Sequence, residues 1–118
     1  RLHMNAFTPF KKYEYLNPLF KEILSRTKIK SQHWGGDLLF VYLPSWLSLY
    51  KGLGAGDYNR QILDVPKSLG IPIIDMHAIF TAHPDPLSLF PFRRHGHYTE
   101  EGYQLVAEAI DIQIKNNE

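Results

Sequence analysis

A cluster of side chains that could carry acid–base chemistry lies between residues 75 and 97. This stretch holds four of the six histidines together with two aspartates. They are His77, His83, His95, His97, Asp75 and Asp85. Histidine can take up and release a proton near neutral pH, and a carboxylate can orient it. The same groups bind metals, but no His-Glu-Xaa-Xaa-His or similar ligand motif accompanies them. The pattern therefore favours proton transfer, and we expect neither a metal nor another cofactor.

His97 has the most informative position of the four histidines. It directly precedes a predicted helix of about residues 100–114, for which Thr99 is a suitable N-cap. Glu100 and Glu101 add negative charge at the positive end of that helix. A histidine at a rigid helix entrance has the fixed position that a general base needs, although it could also simply cover the helix end. The apolar stripe predicted to be buried comprises Tyr103, Val106, Ala107, Ile110 and Ile114.

Two short apolar runs predict the strands of a parallel sheet. Residues 38–43 are apolar without alternation, which is typical of a strand buried on both faces, and residues 71–75 form a second run that ends in an acid. Helical patterns lie over residues 13–28, with a possible start at Asn17-Pro18, and over about 58–69, where Asp57 is the cap and Pro66 predicts a kink. This alternation predicts an α/β fold with helices on both faces of the sheet.

Ligands of such sheets bind beyond the carboxyl ends of the strands. Ser45 and Trp46 follow the first predicted strand, and we therefore expect them to contribute to substrate binding. Asp75 and His77 follow the second strand and belong to the same edge. The long connection of residues 78–98 is stiffened by prolines and is expected to be functional or to face a partner. Ser45 is also the alternative nucleophile for a Ser–His pair within this chain.

Composition excludes several classes of function. The chain has 118 residues, enough for one small domain, and 13 basic against 12 acidic residues give a net charge of +1. We therefore expect no binding to nucleic acid, and no apolar run predicts a membrane span. Cysteine is absent, which rules out a disulfide framework and a thiol nucleophile and leaves the cellular compartment undecided.

The segment from Phe90 to Ala107 resembles the C-terminal end of SGNH (GDSL-type) hydrolases. His97, Gly102 and the Leu-Val-Ala run of residues 105–107 match the last block of that family. The resemblance implies a three-layer, flavodoxin-like fold with a parallel sheet and flanking helices. It also implies a serine ester hydrolase that acts on a small-molecule acyl ester, such as a carbohydrate O-acetyl group, with His97 as the general base.

The chain departs from the family pattern at two places. The Gly-Asp-Ser block with the nucleophile is absent, and Arg94 occupies the position, three residues before His97, where the family has an aspartate. The resemblance thus implies that residues 1–118 are the C-terminal segment of a larger hydrolase domain. We expect the rest of that domain, or a homo-oligomer, as the partner. Asp85 and Asp75 are the candidates for the acid that orients His97. The alternative is a degenerate SGNH-like module that binds a glycan, a lipid or a protein.

Overall fold

The computed structural model describes residues 16–52 and 57–118, and it divides the chain into two compact units, residues 1–38 and 39–118. Among the described residues of the first unit, helix α1 spans Leu16–His33. It extends five residues beyond the predicted end at about Lys28, and Pro18 lies in its first turn. The predicted beginning at Tyr13 lies outside the described residues. No described helix of either unit has the length and apolar character required to cross a bilayer.

The second unit contains a small sheet and four α-helices among its described residues. The strands are β1 (Phe40–Tyr42) and β2 (Ile73–Asp75). The helices are α2 (Trp46–Tyr50), α3 (Asp57–Ser68), α4 (Met76–Thr81) and α5 (Glu100–Asn116), with short 3-10 turns at Pro86–Leu89 and Pro91–Arg93.

Strands β1 and β2 pair in parallel, as predicted. Phe40 lies opposite Ile73, and Tyr42 lies opposite Asp75. The fold is therefore mixed helix and strand, but the described residues do not form the three-layer sheet that the resemblance implies. β1 is also shorter than the predicted run of residues 38–43, and all of its residues are partly exposed. Its apolar side chains are only partly covered because the described sheet has two strands.

Asp75 ends β2 and at the same time begins α4, a helix that sequence periodicity did not predict. Its Oδ1 accepts the backbone N–H groups of His77 and Ala78 at 3.0 and 3.3 Å. Met76 and Phe80, four residues apart, are fully buried on the inner side of this helix. The connection of residues 78–98 is thus shorter than expected, and the two 3-10 turns occupy part of it.

The core of the second unit forms where α4, β2 and the 3-10 turns meet. Its buried centre consists of Ile74, Met76, Phe80, Leu89 and Phe90. Edge-to-face contacts join Phe80 and Phe90 to the ring of Tyr98 at centroid distances of 5.0 and 5.3 Å. Burial of these large side chains supplies most of the hydrophobic stabilisation of the unit.

Helix α5 buries only part of the predicted apolar stripe, namely Val106 and Ile110. It packs on the core through Leu105, Val106, Ala109 and Ile110, whereas Tyr103 and Ile114 are each about half exposed at 52% and Ala107 is exposed. The prediction that Tyr103, Ala107 and Ile114 are buried was therefore wrong. The reason lies at Gly102, whose lack of a side chain lets the helix approach Leu89 and fixes which side faces inward.

Candidate active site

The loop of residues 94–98, which carries His97, lies against the segment that follows β1. The Tyr98 hydroxyl donates to the Pro44 carbonyl at 2.6 Å, and Trp46 Nε1 donates to the Arg93 carbonyl at 2.9 Å. The His95 ring meets the Trp46 ring edge-on, with centroids 6.1 Å apart. Residues 44–46 and the loop that carries His97 therefore lie next to each other.

The residues directly after His97 have clear structural roles. Tyr98 fills the core with its ring, and Thr99 caps α5 by accepting the N–H of Gly102 at 3.2 Å. A Cβ at Gly102 would lie 3.0 Å from the Leu89 carbonyl oxygen and 2.9 Å from Tyr98 Cβ, so this position requires glycine. The backbone that leads from His97 into α5 is consequently held in one conformation.

His97 itself is exposed, and its ring has no hydrogen-bonding partner among the described residues. An exposed imidazole without a partner contributes little to folding. It is, however, free to accept a proton from a group brought within hydrogen-bond distance. The predicted role of His97 as a general base stays a prediction.

Ser45 and Trp46 occupy the start of α2. The Ser45 hydroxyl oxygen accepts the N–H of Ser48 at 3.2 Å and so caps this short helix. Trp46 is partly buried, and its ring stacks on Tyr50 at 4.6 Å with an angle of 10° between the planes. Both residues lie beside the His97 loop, but Ser45 makes no hydrogen bond to His97.

Asp75, the first candidate for the acid that orients His97, uses its carboxylate to cap α4. The neighbouring His77 has a buried Nε2 atom without a hydrogen-bonding partner in the described part of the chain. Neither residue is paired with His97.

Asp85, the second candidate acid, forms an ion pair with Arg93 at 2.5 Å instead of contacting an imidazole of the His97 loop. The hydrogen bond from Arg93 lowers the pKa of Asp85, and the positive charge of Arg93 acts in the same direction. The same pair raises the pKa of Arg93. Asp85 is therefore an ionised carboxylate at neutral pH, but its charge is directed to a guanidinium.

His83 is the most completely bonded histidine of the unit. Its Nδ1 accepts the backbone N–H of Asp85 at 3.0 Å, and its Nε2 lies 3.0 Å from Glu101 Oε1. Because Nδ1 is an acceptor, Nε2 carries the hydrogen and donates it to the carboxylate. The sequence indicated His83 only as one member of the histidine cluster. Its position two residues before Asp85 was the feature that could have predicted this turn.

The four histidines therefore do not form one site. Within residues 16–52 and 57–118, no three histidine, aspartate or glutamate side chains are arranged so that they could hold a metal ion. What the arrangement offers is a loop with two exposed imidazoles, those of His95 and His97, which lies against the segment after β1 and has aromatic side chains next to it.

Comparison with known proteins adds no relative: no family model, no curated protein and no solved structure matches this chain.

Proposed function

We propose that this chain supplies the catalytic histidine segment of an SGNH-type serine ester hydrolase, with His97 as the general base. The observation that carries the proposal is the contrast within one block of sequence. Tyr98, Thr99 and Gly102 are each explained by packing or capping, whereas His97 is exposed and has no hydrogen-bonding partner among residues 16–52 and 57–118. Such an imidazole on a rigid loop suits proton transfer.

In this proposal a serine from outside the chain is the nucleophile. His97 takes the serine proton as the Ser–O bond to the acyl carbon forms, and then gives that proton to the leaving alcohol as the ester C–O bond breaks. In the second half-reaction His97 takes a proton from water as the water oxygen bonds to the acyl carbon. His97 then gives that proton to the serine oxygen as the bond from the acyl carbon to that oxygen breaks and the acid leaves. The substrate is a small-molecule acyl ester, such as an O-acetylated carbohydrate.

The proposal includes a three-layer sheet that is completed by elements from outside the chain. Two features of the second unit support it. All three residues of β1 and two of the three residues of β2 are only partly buried, and large apolar side chains are exposed. These side chains include Leu43, Ile112 and Ile114, which are each 51–59% exposed. Apolar surface of this kind marks an interaction site, with the rest of the domain or a second copy as the occupant. Sedimentation of the purified chain distinguishes a monomer from a homo-oligomer.

The decisive experiment uses the natural protein that contains this chain and a chromogenic acetyl ester. We expect hydrolysis, and we expect His97→Ala to lower kcat/KM by at least about 100-fold, the usual contribution of a general base. His95→Ala is the matched control, because His95 is exposed on the same loop and we expect it to retain activity within a few-fold. Equal losses in the two variants, or unchanged turnover in His97→Ala, contradict the proposal.

The 118-residue chain alone should show no hydrolysis above the background rate, since its nucleophile lies elsewhere. Activity in the pure chain would assign the nucleophile to this chain, and Ser45→Ala would then be the first variant to measure.

A second function, a degenerate SGNH-like binding module, is favoured by the surroundings of the acids. Arg94 occupies the position of the expected aspartate, Asp85 is paired with Arg93, and Asp75 caps a helix. Absence of hydrolysis in the natural protein, together with retained binding of an acetylated oligosaccharide, would favour the binding module over the enzyme.

A further inference from the structure

The loop that carries His97 is bonded at both of its ends to one short segment. Arg93 precedes the loop and binds the Asp85 carboxylate through Nη1, and Glu101 follows it and accepts from His83 Nε2. His83 and Asp85 are two residues apart, and the Asp85 N–H donates to His83 Nδ1. A single turn of chain thus bonds to the residues on both sides of the His97 loop.

The backbone at the start of the loop is strained, which means that it needs such restraints. Phe92 and Arg93 have positive φ angles of 55° and 58°, a region that side chains other than glycine rarely adopt. A strained backbone conformation persists where several contacts with the surrounding structure hold it, and such conformations are concentrated at functional sites. Here the contacts are the Asp85 carboxylate on the Arg93 side chain and the Trp46 indole N–H on the Arg93 carbonyl.

The hydrogen bonds of His83 suit a role in positioning rather than in proton transfer. Both ring nitrogens are occupied, by the Asp85 N–H and by the Glu101 carboxylate, and its side chain is only 19% exposed. A ring bonded in this way cannot accept a substrate proton without giving up a bond. It does fix the distance between its own turn and the first turn of α5.

We propose that His83 and Asp85 are positioning residues that form a clamp with Arg93 and Glu101 and hold the His97 loop at both ends. For its effect on catalysis, this inference rests on the function proposed above. Its effect on the order of the loop does not, and the two can be measured separately.

The first measurement is amide hydrogen exchange in the 118-residue chain. Asp85→Asn and Glu101→Gln each replace the carboxylate at one end of the clamp by a neutral and weaker acceptor, and we expect each to speed the exchange of residues 94–98 by about two- to fivefold, as suits the weakening of one exposed polar contact. Asp111→Asn is the matched control, because it removes an exposed ion pair of similar length, 2.6 Å to Lys115, on the same unit. We expect it to leave the loop unchanged.

Two further readouts separate a clamp from a general loss of stability. The ¹⁵N spectrum of His83 should show the Nε2–H tautomer. Asp85→Arg should loosen the loop, and its combination with Arg93→Asp should restore slow exchange by rebuilding the pair with the charges exchanged. The clamp is contradicted by unchanged exchange in both single variants, by an equal rise in Asp111→Asn, or by failure of the exchanged pair to restore the loop.

Catalysis is then measured on the natural protein. If both proposals hold, Asp85→Asn and Glu101→Gln lower kcat several-fold with little change in KM, since a misplaced base slows the chemical step rather than binding. Faster loop exchange in a protein that hydrolyses no ester supports the clamp and contradicts the proposed function. Unchanged exchange in an active esterase contradicts the clamp alone.

Discussion

His83 and His97 belong to the same unit, yet their rings have opposite surroundings. His83 is bonded at both nitrogens and largely covered, whereas His97 is exposed and has no partner in the described part of the chain. The side chain of His83 therefore contributes to the structure, and that of His97 is left available for chemistry. A cluster of histidines in a sequence can thus contain two different kinds of residue, which only their hydrogen bonds distinguish.

The largest expected effect concerns the backbone that holds His97 in place. In Gly102→Ala the added methyl group would lie 3.0 Å from the Leu89 carbonyl and 2.9 Å from Tyr98 Cβ, so the start of α5 must move away. We expect a loss of about 1–3 kcal/mol in the free energy of unfolding, even though alanine is the better helix former. Urea denaturation measures it. Gln104→Ala, on the exposed side of the same helix, is the control and should change stability by less than about 0.5 kcal/mol.

Removing each ring in turn tests directly whether His83 and His97 differ in their contribution to stability. His83→Ala loses hydrogen bonds to Asp85 and Glu101, and we expect a decrease of about 1–2 kcal/mol in the free energy of unfolding. His97→Ala removes no hydrogen bond to another described residue and should leave the free energy of unfolding within about 0.5 kcal/mol of that of the starting protein. Both values come from urea denaturation at neutral pH. Equal losses in the two variants would mean that His97 has a structural partner.

The smallest expected effect concerns the hydrogen bond of Tyr98, the residue next to His97. Tyr98→Phe removes the hydrogen bond to the Pro44 carbonyl and keeps the ring in the core, so we expect a loss of about 1 kcal/mol. Burial is the main cause that raises the pKa of Tyr98 to about 12. The folded state therefore favours the neutral phenol, and this stabilisation is complete below pH 10 and lost as the pH rises towards 12.

The alkaline part of this prediction is measured by following unfolding between pH 9 and 12. The starting protein should lose stability over the upper part of this range, and Tyr98→Phe should lose less, since one contributing group is gone. An identical pH dependence in the two proteins would show that the Tyr98 phenol ionises without affecting folding.

Local signals were sufficient for the features that depend on neighbouring residues. The Thr99 cap, the start of α5 at Glu100, the parallel pairing of the two apolar runs and the location of Ser45 and Trp46 at the carboxyl edge are confirmed. Each of these follows from turn chemistry, from helix capping or from the rule that parallel strands share an edge. Asp75, by contrast, caps a helix that sequence periodicity did not predict.

Residue types and local patterns identify the side chains that could do chemistry and the approximate starts of the helices and strands. Contacts between separate segments of the fold determine which of those side chains are already engaged in hydrogen bonds or ion pairs. The buried side of α5 depends on the approach of Gly102 to Leu89, a contact between residues far apart in the chain, and not on the apolar period alone. Likewise, Asp85 is directed to Arg93 and His83 to Glu101 because the chain folds back between them. His97 has no such partner in the part of the chain that the structure describes, and local spacing in a sequence does not predict contacts between separate segments of a fold.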